Sequence, residues 1–506
     1  MNIRKVQFGV MLMLLWAQAG WTQISLGPYV QRVSTDRATV VWYTDKATPG
    51  VLKYGTASGQ WLGIIKVKAE TVHAAEVTGL KPDTKYFYEV SDSATTLATG
   101  AEYYFETHIP AGVRAPFSFI AAGDLADGST NQKEVAARMI IERPKHKFAL
   151  LLGDIVYSSG TRQEYLKYFF PVYKNLHRNL CFFPTLGNHD IKTSKAAPYF
   201  EFFYTPANNP EKVENYYSFD YANAHIVCLD DELLVSGAAL TKQLDWAKKD
   251  LAEAKSRGRQ WLIVMFHRPP YTSGTHTDDD FTKAQFVPVL ESAGVDLVLC
   301  GHSHVAERSF LLNNSKIVNE DLSNYPKNGI APGTVYVVSG NAGQTGNLAG
   351  KHKLMAFQMG DIGGFEIVYI NGDTLRGKYM KKDGKVIDSF TMIKAGNFTR
   401  VEISDPAQRP LQYVFNYPNP LRLSQTPAGL KIVFELSQTL PIYAAVYDLT
   451  GREVARLDNG ALLRPGRHVL QWDGKGSNGE PIASGMYFYR LRAGAQVHAA
   501  KVLLLP

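Results

Sequence analysis

The sequence predicts an all-β sandwich, then an α/β domain of four layers (αββα), then a second all-β sandwich. Three patterns carry that expectation. From Ile24 to about Thr107 apolar and polar residues alternate, as in Ala38-Thr39-Val40-Val41-Trp42-Tyr43, between turn signals such as Thr48-Pro49-Gly50. In the middle, the runs Phe117 to Ala122, Phe148 to Leu152, Cys181 to Leu186, Trp261 to Phe266 and Asp296 to Cys300 are short and almost wholly apolar. They read as strands buried on both faces, covered by helices over the amphipathic stretches Asn131 to Arg143, Arg162 to Leu176, Thr241 to Arg257 and Thr282 to Ala293. Towards the end, β patterning returns in Lys431 to Leu436, Tyr443 to Asp448, His468 to Trp472 and Met486 to Leu491.

Composition sets the boundaries. Residues 1–23 carry Arg4 and Lys5, an apolar stretch from Phe8 to Ala17 and a closing Ala17-Gln18-Ala19, the pattern of a secretory signal. No later segment reaches the ~18 uncharged apolar residues of a spanning helix, so an exported product without a transmembrane segment is expected. The linkers Ile109 to Pro116 and Gly396 to Leu411 leave domains at 24–108, 114–395 and 412–506. The 54 Lys and Arg residues against 47 Asp and Glu give a net charge of +7, without basic clusters interleaved with aromatics, so nucleic acid is not an expected partner. Cys181, Cys228 and Cys300 lie in or beside strand runs and read as small core residues, with no disulfide framework.

Each central run ends in residues that bind metals: Gly123-Asp124, Gly153-Asp154-Ile155-Val156-Tyr157, Gly187-Asn188-His189-Asp190, His267 and Gly301-His302-Ser303-His304. Ligands of an open α/β sheet bind outside the carboxyl ends of its strands, so groups scattered this widely can converge. A lone Gly-Asp is weak, because aspartate often follows a strand only to cap a helix. Gly-Asn-His-Asp and Gly-His-Ser-His are stronger, and the ordered set is what two-metal hydrolysis of phosphate esters requires.

From Phe117 to Lys394 the chain resembles the calcineurin-like metallophosphoesterases. Most members carry a histidine two residues after the first aspartate. Here Asp124-Leu125-Ala126 lacks it and Tyr157 follows the second motif, as in the purple acid phosphatases. By that resemblance Asp124, Asp154, Tyr157 and His304 hold one metal, and Asp154, Asn188, His267 and His302 hold the other. A phenolate and carboxylates suit Fe(III), while imidazoles and an amide oxygen suit a divalent Zn, Mn or Fe. The implied reaction is hydrolysis of a small phosphate monoester, an acid phosphatase activity, by metal-bound hydroxide, with His189 and His276 at the substrate side as the catalytic groups. Asp190 is expected to accept from the His189 ring. Asp127, in a loop where this family usually has glycine two after the aspartate, leaves the identity of the first metal open, and a Zn or Mn enzyme stands beside the iron one. A phosphodiesterase or nucleotide hydrolase on the same residues, and a non-catalytic surface binding protein, are the alternative functions.

The flanking segments carry their own resemblances. Leu80-Lys81-Pro82-Asp83-Thr84-Lys85-Tyr86 resembles the fibronectin type III corner, with Tyr86 bonding back to the chain and Trp42 filling the core. Tyr417-Pro418-Asn419-Pro420, Val446 to Val454, Trp472-Asp473-Gly474 and Ala483 to Tyr489 resemble the Ig-like domain that addresses bacterial proteins to the type IX secretion machinery. This implies a secreted or surface-attached product, with a substrate-binding Ig module as the alternative. In that context Asn397-Phe398-Thr399 reads as a chance glycosylation triplet. Other conspicuous residues are expected to be structural: His73 and His108 at the surface, His225 as a satisfied strand histidine, Tyr216 and Tyr217 in the core, and Asp278-Asp279-Asp280 solvated. Asp230 and Asp231 could reach the crevice or cap a helix.

Overall fold

The computed structural model describes residues 22–274, 276–326, 333–394, 411–422, 429–494 and 496–505. Most of the signal segment, the second linker and the Asn397 triplet lie outside the described residues. Two compact units form. One runs to Ser309 and adds Thr334–Gly372 and Gly377–Ser389; the other takes Phe310–Gly333, Asp373–Arg376 and the chain from Phe390.

In the first unit, Arg37–Gly55 pairs antiparallel with Ile24–Gln31, Gly63–Thr78 and Lys85–Ser91. Trp42 is fully buried, and the Tyr86 hydroxyl accepts the Lys81 amide at 2.9 Å, closing the expected corner. This β layer shares its core with the α/β layers: Leu26, Tyr29, Val41 and Tyr43 join Phe170, Phe182 and Phe202 in one apolar cluster. Buried hydroxyls that enter such a contact need partners. Tyr29 donates to the Phe202 carbonyl at 3.1 Å and Tyr88 to the Arg178 carbonyl at 2.6 Å.

The five apolar runs form strands Phe117–Ala122, Phe148–Leu151, Cys181–Pro184, Trp261–Met265 and Leu297–Cys300, every residue buried. The first three lie side by side and parallel, flanked by antiparallel Gly364–Asn371. The last two lie in a second sheet ordered Tyr217–Tyr221, Ala224–Cys228, Trp261–Met265, Leu297–Cys300, Val335–Ser339, Ala306–Ser309 and Met355–Met359. Its central four strands are parallel. The sheets meet where strands end, as Gly123 N–H donates to the Ser339 carbonyl at 2.8 Å.

Three expectations change. The helix expected over Arg162 to Leu176 divides into Arg162–Glu164, a π-turn at Tyr165–Phe169 and Phe170–His177. Pro171 has no N–H and crowds the carbonyl four residues back, so the ladder shifts there to wider bonds. Pro288 likewise separates Asp280–Gln285 from Val287–Ala293. His73 and His108 are buried, not exposed. His73 stacks on Trp42 at 4.8 Å, and His108 sits among Phe148, Phe183, Phe219 and Tyr221 with Nδ1 3.3 Å from the Asp220 carbonyl. Cys181, Cys228 and Cys300 are buried free thiols.

The second unit holds a three-stranded sheet (Leu411–Tyr417, Leu430–Leu436, Gly466–Trp472) and a five-stranded one built on Leu440–Tyr447, Gly485–Ala493 and Gln496–Leu505. Ile432, Phe434, Val446, Trp472 and Tyr489 form the core between them.

Burial pushes the His108 imidazole down from 6.5 to about 4. The unfolded chain therefore binds a proton at this residue between those values and the folded chain does not, so stability rises with pH across the window and falls on acidification. His108→Leu should remove about 3 kcal/mol of the stability change between pH 6.5 and 4, measured by urea unfolding at both pH values.

Candidate metal centre

The motif residues converge because the loops after the strands zip together. Asp124, Leu125 and Ala126 donate their amides to the Gly153, Asp154 and Ile155 carbonyls, and Tyr157 N–H returns a bond to the Ala126 carbonyl. Asp124 (φ 57°), Asp154 (φ 48°) and His302 (φ 64°) take left-handed backbone, which side chains other than glycine's rarely adopt and which clusters at functional sites. Two glycines are needed for closeness. A Cβ on Gly187 would lie 2.1 Å from the Asp154 nitrogen, and one on Gly301 would lie 2.5 Å from the Leu152 carbonyl oxygen and 2.7 Å from Asp124 Oδ2.

The Tyr157 hydroxyl is 2.6 Å from Asp124 Oδ1, 2.9 Å from Asp154 Oδ2 and 3.3 Å from His304 Nε2. His304 Nε2 is 3.4 Å from Asp124 Oδ1. On the other side of Asp154, His267 Nε2 is 3.5 Å from Oδ1 and 3.2 Å from Asn188 Oδ1. Ligand atoms of Asp154, His267 and His302 all lie within 4.8 Å of one another. Asp154 thus faces two clusters of donors. Burial, with Asp124 and Asp154 alongside, holds the Tyr157 phenol far above its usual range. Burial disfavours charge on Asp154 and His267 too, yet their mutual attraction lowers the carboxyl and raises the imidazole. Burial and neighbouring His267 depress His302. Buried carboxylates around a phenol, with imidazoles and an amide oxygen opposite, fit a pair of cations: a cation would replace the phenolic proton on one side and His267's proton on the other.

Supporting contacts orient these groups. His267 Nδ1 is 2.8 Å from the Leu152 carbonyl, which leaves Nε2 to the site. Asp231 accepts the His267 amide at 3.0 Å and the Arg268 amide at 2.6 Å; it is pushed up to about 8 by burial and neighbouring Glu232. Asp230 accepts the Glu232 and Leu233 amides and caps that turn. His189 lies at the rim, its ring 4.4 Å from Tyr157 and Nε2 3.9 Å from Asp154 Oδ2. His276 is exposed and stacks on His302 at 4.0 Å.

One expected contact is replaced. Asp190 does not hold His189; it is buried beneath it and accepts the Ile155 amide (3.1 Å), the Gly187 amide (3.0 Å) and the Tyr165 hydroxyl (2.9 Å). His189 Nδ1 instead pairs with the Ser158 carbonyl at 2.7 Å. Asp127 also turns away, accepting the Ser129 amide and Gln344 Nε2 ahead of the helix Thr130–Glu142. Of the acidic triplet, Asp278 binds Lys283 and the Thr272 amide, Asp279 caps Asp280–Gln285 and Asp280 faces solvent. His225 is satisfied by Asp220 and Asp250, both at 2.8 Å.

Residues 117–306 match the calcineurin-like phosphoesterase family, and residues 27–107 match the purple acid phosphatase N-terminal domain. The chain thus carries a calcineurin-like phosphoesterase domain and is similar to the purple acid phosphatases. The chain is similar to purple acid phosphatase 18 of Arabidopsis thaliana, 27% identical over 62% of this chain and 70% of that one. With purple acid phosphatase 15 of the same plant it shares 26% identity over 57% of each, so little more than half of that relative's length is spanned. The purple acid phosphatase from yellow lupin (Lupinus luteus) seeds has the same fold, with a TM-score of 0.65 at 20% identity over 72% of this chain and 74% of that one. The chain is accordingly a metal-dependent phosphoesterase.

One part of the phosphoesterase site went unread in the sequence. The loop after Val335–Ser339 is a sixth strand end: Gly343 and Gln344 donate their amides to the Asp124 carbonyl, and a Cβ on Gly340 would lie 2.7 Å from Asp124 Oδ2. Its signal was Ser339-Gly340-Asn341, glycine after an apolar run as in the other motifs. Asp190 sets the spacing of the second and third motifs, so Asp190→Ala, which strands three buried donors, should cost at least about 3 kcal/mol in urea denaturation, and Tyr165→Phe about 1 kcal/mol.

Proposed function

We propose that this phosphoesterase is an exported acid phosphatase that hydrolyses phosphate monoesters at a centre of Fe(III) and a divalent Zn, Mn or Fe. Asp124, Asp154, Tyr157 and His304 would hold the ferric ion, and Asp154, Asn188, His267 and His302 the divalent one. The observation that carries this reading is the Tyr157 hydroxyl within 3.3 Å of Asp124, Asp154 and His304. When bound, such a pair would supply Lewis-acid polarisation of phosphoryl oxygens and lower the pKa of bound water to about 7.

The chain's own residues supply positioning and the leaving-group proton. The Ser158 carbonyl accepts from His189 Nδ1 and from Lys192 Nζ at 3.1 Å, which turns His189 Nε2 towards the site, 3.4 Å from Lys192 Nζ and 3.9 Å from Asp154 Oδ2, where the protonated ring would pass a proton to an ester oxygen. His276, held against His302, offers a second imidazole from the facing rim. Its loop is anchored below by Glu307, which accepts from the Ser273 amide at 3.0 Å and the Ser273 hydroxyl at 2.7 Å. Partial desolvation of the ring against its neighbours, with His304 nearby, keeps the His276 imidazole below its ordinary pKa, hence neutral near pH 7 and able to take up a proton as the pH falls.

The C-terminal sandwich acts in this proposal as a type IX secretion address, supported by its sequence signature and its two-sheet β build. Deleting residues 412–506 should leave activity inside the producing cell, and a deletion variant that still reaches the medium would discard the address.

Turnover of an aryl phosphate monoester should exceed that of the matching diester, and the reverse preference would replace the monoester reading with a diesterase one. Asp154→Asn should abolish both activities while circular dichroism is unchanged. Purified protein should contain two metal ions per chain with a visible absorption band that Tyr157→Phe removes; a colourless, active holoprotein would remove iron. His189→Ala should lower kcat about 100-fold with a smaller change in KM.

A further inference from the structure

Two cations stand beside the metal motifs, and their surroundings differ. Arg268, next to His267, gives Nε and Nη2 to Glu232 at 2.7 and 3.2 Å, so a carboxylate already meets its charge. Lys192 ends the short helical turn Asp190–Lys192 and is exposed. Among the described residues its ammonium meets no carboxylate. Nζ donates to the Ser158 carbonyl at 3.1 Å and lies 3.0 Å from His189 Nδ1 and 3.4 Å from His189 Nε2. Such similar distances to both ring nitrogens put the ammonium over the face of the imidazole, not in line with either lone pair.

The backbone fixes that place. Glu164 accepts the Ser158 amide at 2.6 Å and the Ser159 amide at 3.2 Å, while Thr193 Oγ1 donates to the Ser159 carbonyl at 2.6 Å. The loop after Tyr157 and the loop after Asn188 are thereby tied together, with Lys192 at their seam. Glu164 also accepts the Thr161 amide at 2.8 Å and its hydroxyl at 3.0 Å, so this carboxylate is engaged by its own turn. An ammonium is a compact charge whose three donors rotate to suit a carboxylate or a phosphate, and here a neutral carbonyl takes only one of them.

The site lies within reach. His189 Nε2 is 3.9 Å from Asp154 Oδ2. A general acid works within ~3 Å of the oxygen it protonates, so the Lys192 ammonium lies at most about 6.5 Å from a leaving oxygen served by His189. We propose that Lys192 is a specificity-determining residue that receives a second anionic group of the substrate, so that monoesters whose leaving group carries a carboxylate or a further phosphate are preferred. This rests on the phosphatase reading, which puts the ester oxygen at His189. Charge attraction at an exposed side chain is screened by solvent, which keeps the preference modest.

Isothermal titration of the metal-loaded full chain with 3-phosphonobenzoate and with its neutral amide, 3-carbamoylphenylphosphonate, tests the subsite without turnover. The acid should bind about fivefold more tightly than the amide, and 1,3-phenylenediphosphonate should gain likewise. A gain for only one of the two anions upholds the subsite and names its anion. Lys192→Met should erase the preference and Lys192→Arg should keep most of it, whereas Lys195→Met, on the exposed turn just beyond, should leave it in place. The kcat/KM ratio of 3-carboxyphenyl phosphate to 3-carbamoylphenyl phosphate should follow the same order across the variants. A preference in binding with neither ester hydrolysed would overturn the phosphatase reading and uphold the subsite. Equal affinity for acid and amide, a loss in Lys192→Met shared equally by all probes, or an equal effect of Lys195→Met would each overturn the subsite.

Discussion

The site depends on two carboxylates, Asp124 and Asp154, being buried together beside one phenol. Burying charge is expensive unless partners compensate, and bringing two like charges into one pocket adds to the cost. The chain meets that cost with backbone amides: Asp124 Oδ2 accepts from His302 N–H at 2.8 Å and Asp154 Oδ1 from His189 N–H at 2.7 Å. Each carboxylate is thus held by the amide of another motif. The arrangement is mutual, so no motif is positioned without the others.

That mutual dependence explains the backbone. To aim an amide and a side chain into the same small space, Asp124, Asp154 and His302 adopt left-handed conformations just after glycines, and the glycines allow strands from different sheets to approach. The rigid parallel strands behind them absorb the strain. Asp190 and Asp231 do the same work a layer further out, each buried, each tying together backbone amides of the loops that carry His189 and His267. The resulting pocket has hard anionic groups on one side and imidazoles on the other, which is the chemical asymmetry on which the mixed-metal proposal rests.

Much of this was legible beforehand in particular residues. The strand from Phe117 ends at Ala122 and the helix expected from Asn131 begins one residue earlier, because apolar runs closed by glycine and amphipathic runs preceded by a serine cap are local signals. Asp124, Asp154, Tyr157, His267, His302 and His304 were nameable because the order and types of strand-end residues survive without knowledge of the sheet order. His108 and His73 were misplaced since a histidine's burial depends on what packs over it, here Phe148 and Phe219 in one case and Trp42 in the other. Asp190 was misassigned for a related reason: adjacency in sequence to His189 does not decide which way a side chain leaves a tight turn.

By itself the sequence determined the central strands and the identity of the groups that meet at the site, because these are properties of local pattern and residue chemistry. Only the tertiary structure decided which group supports which. The loop at Gly340–Gln344, the Asp231 anchor and the orientation of His189 towards Ser158 all arise from contacts between elements distant along the chain. Such contacts are set by how sheets and helices pack, and packing leaves no periodic trace in the order of residues.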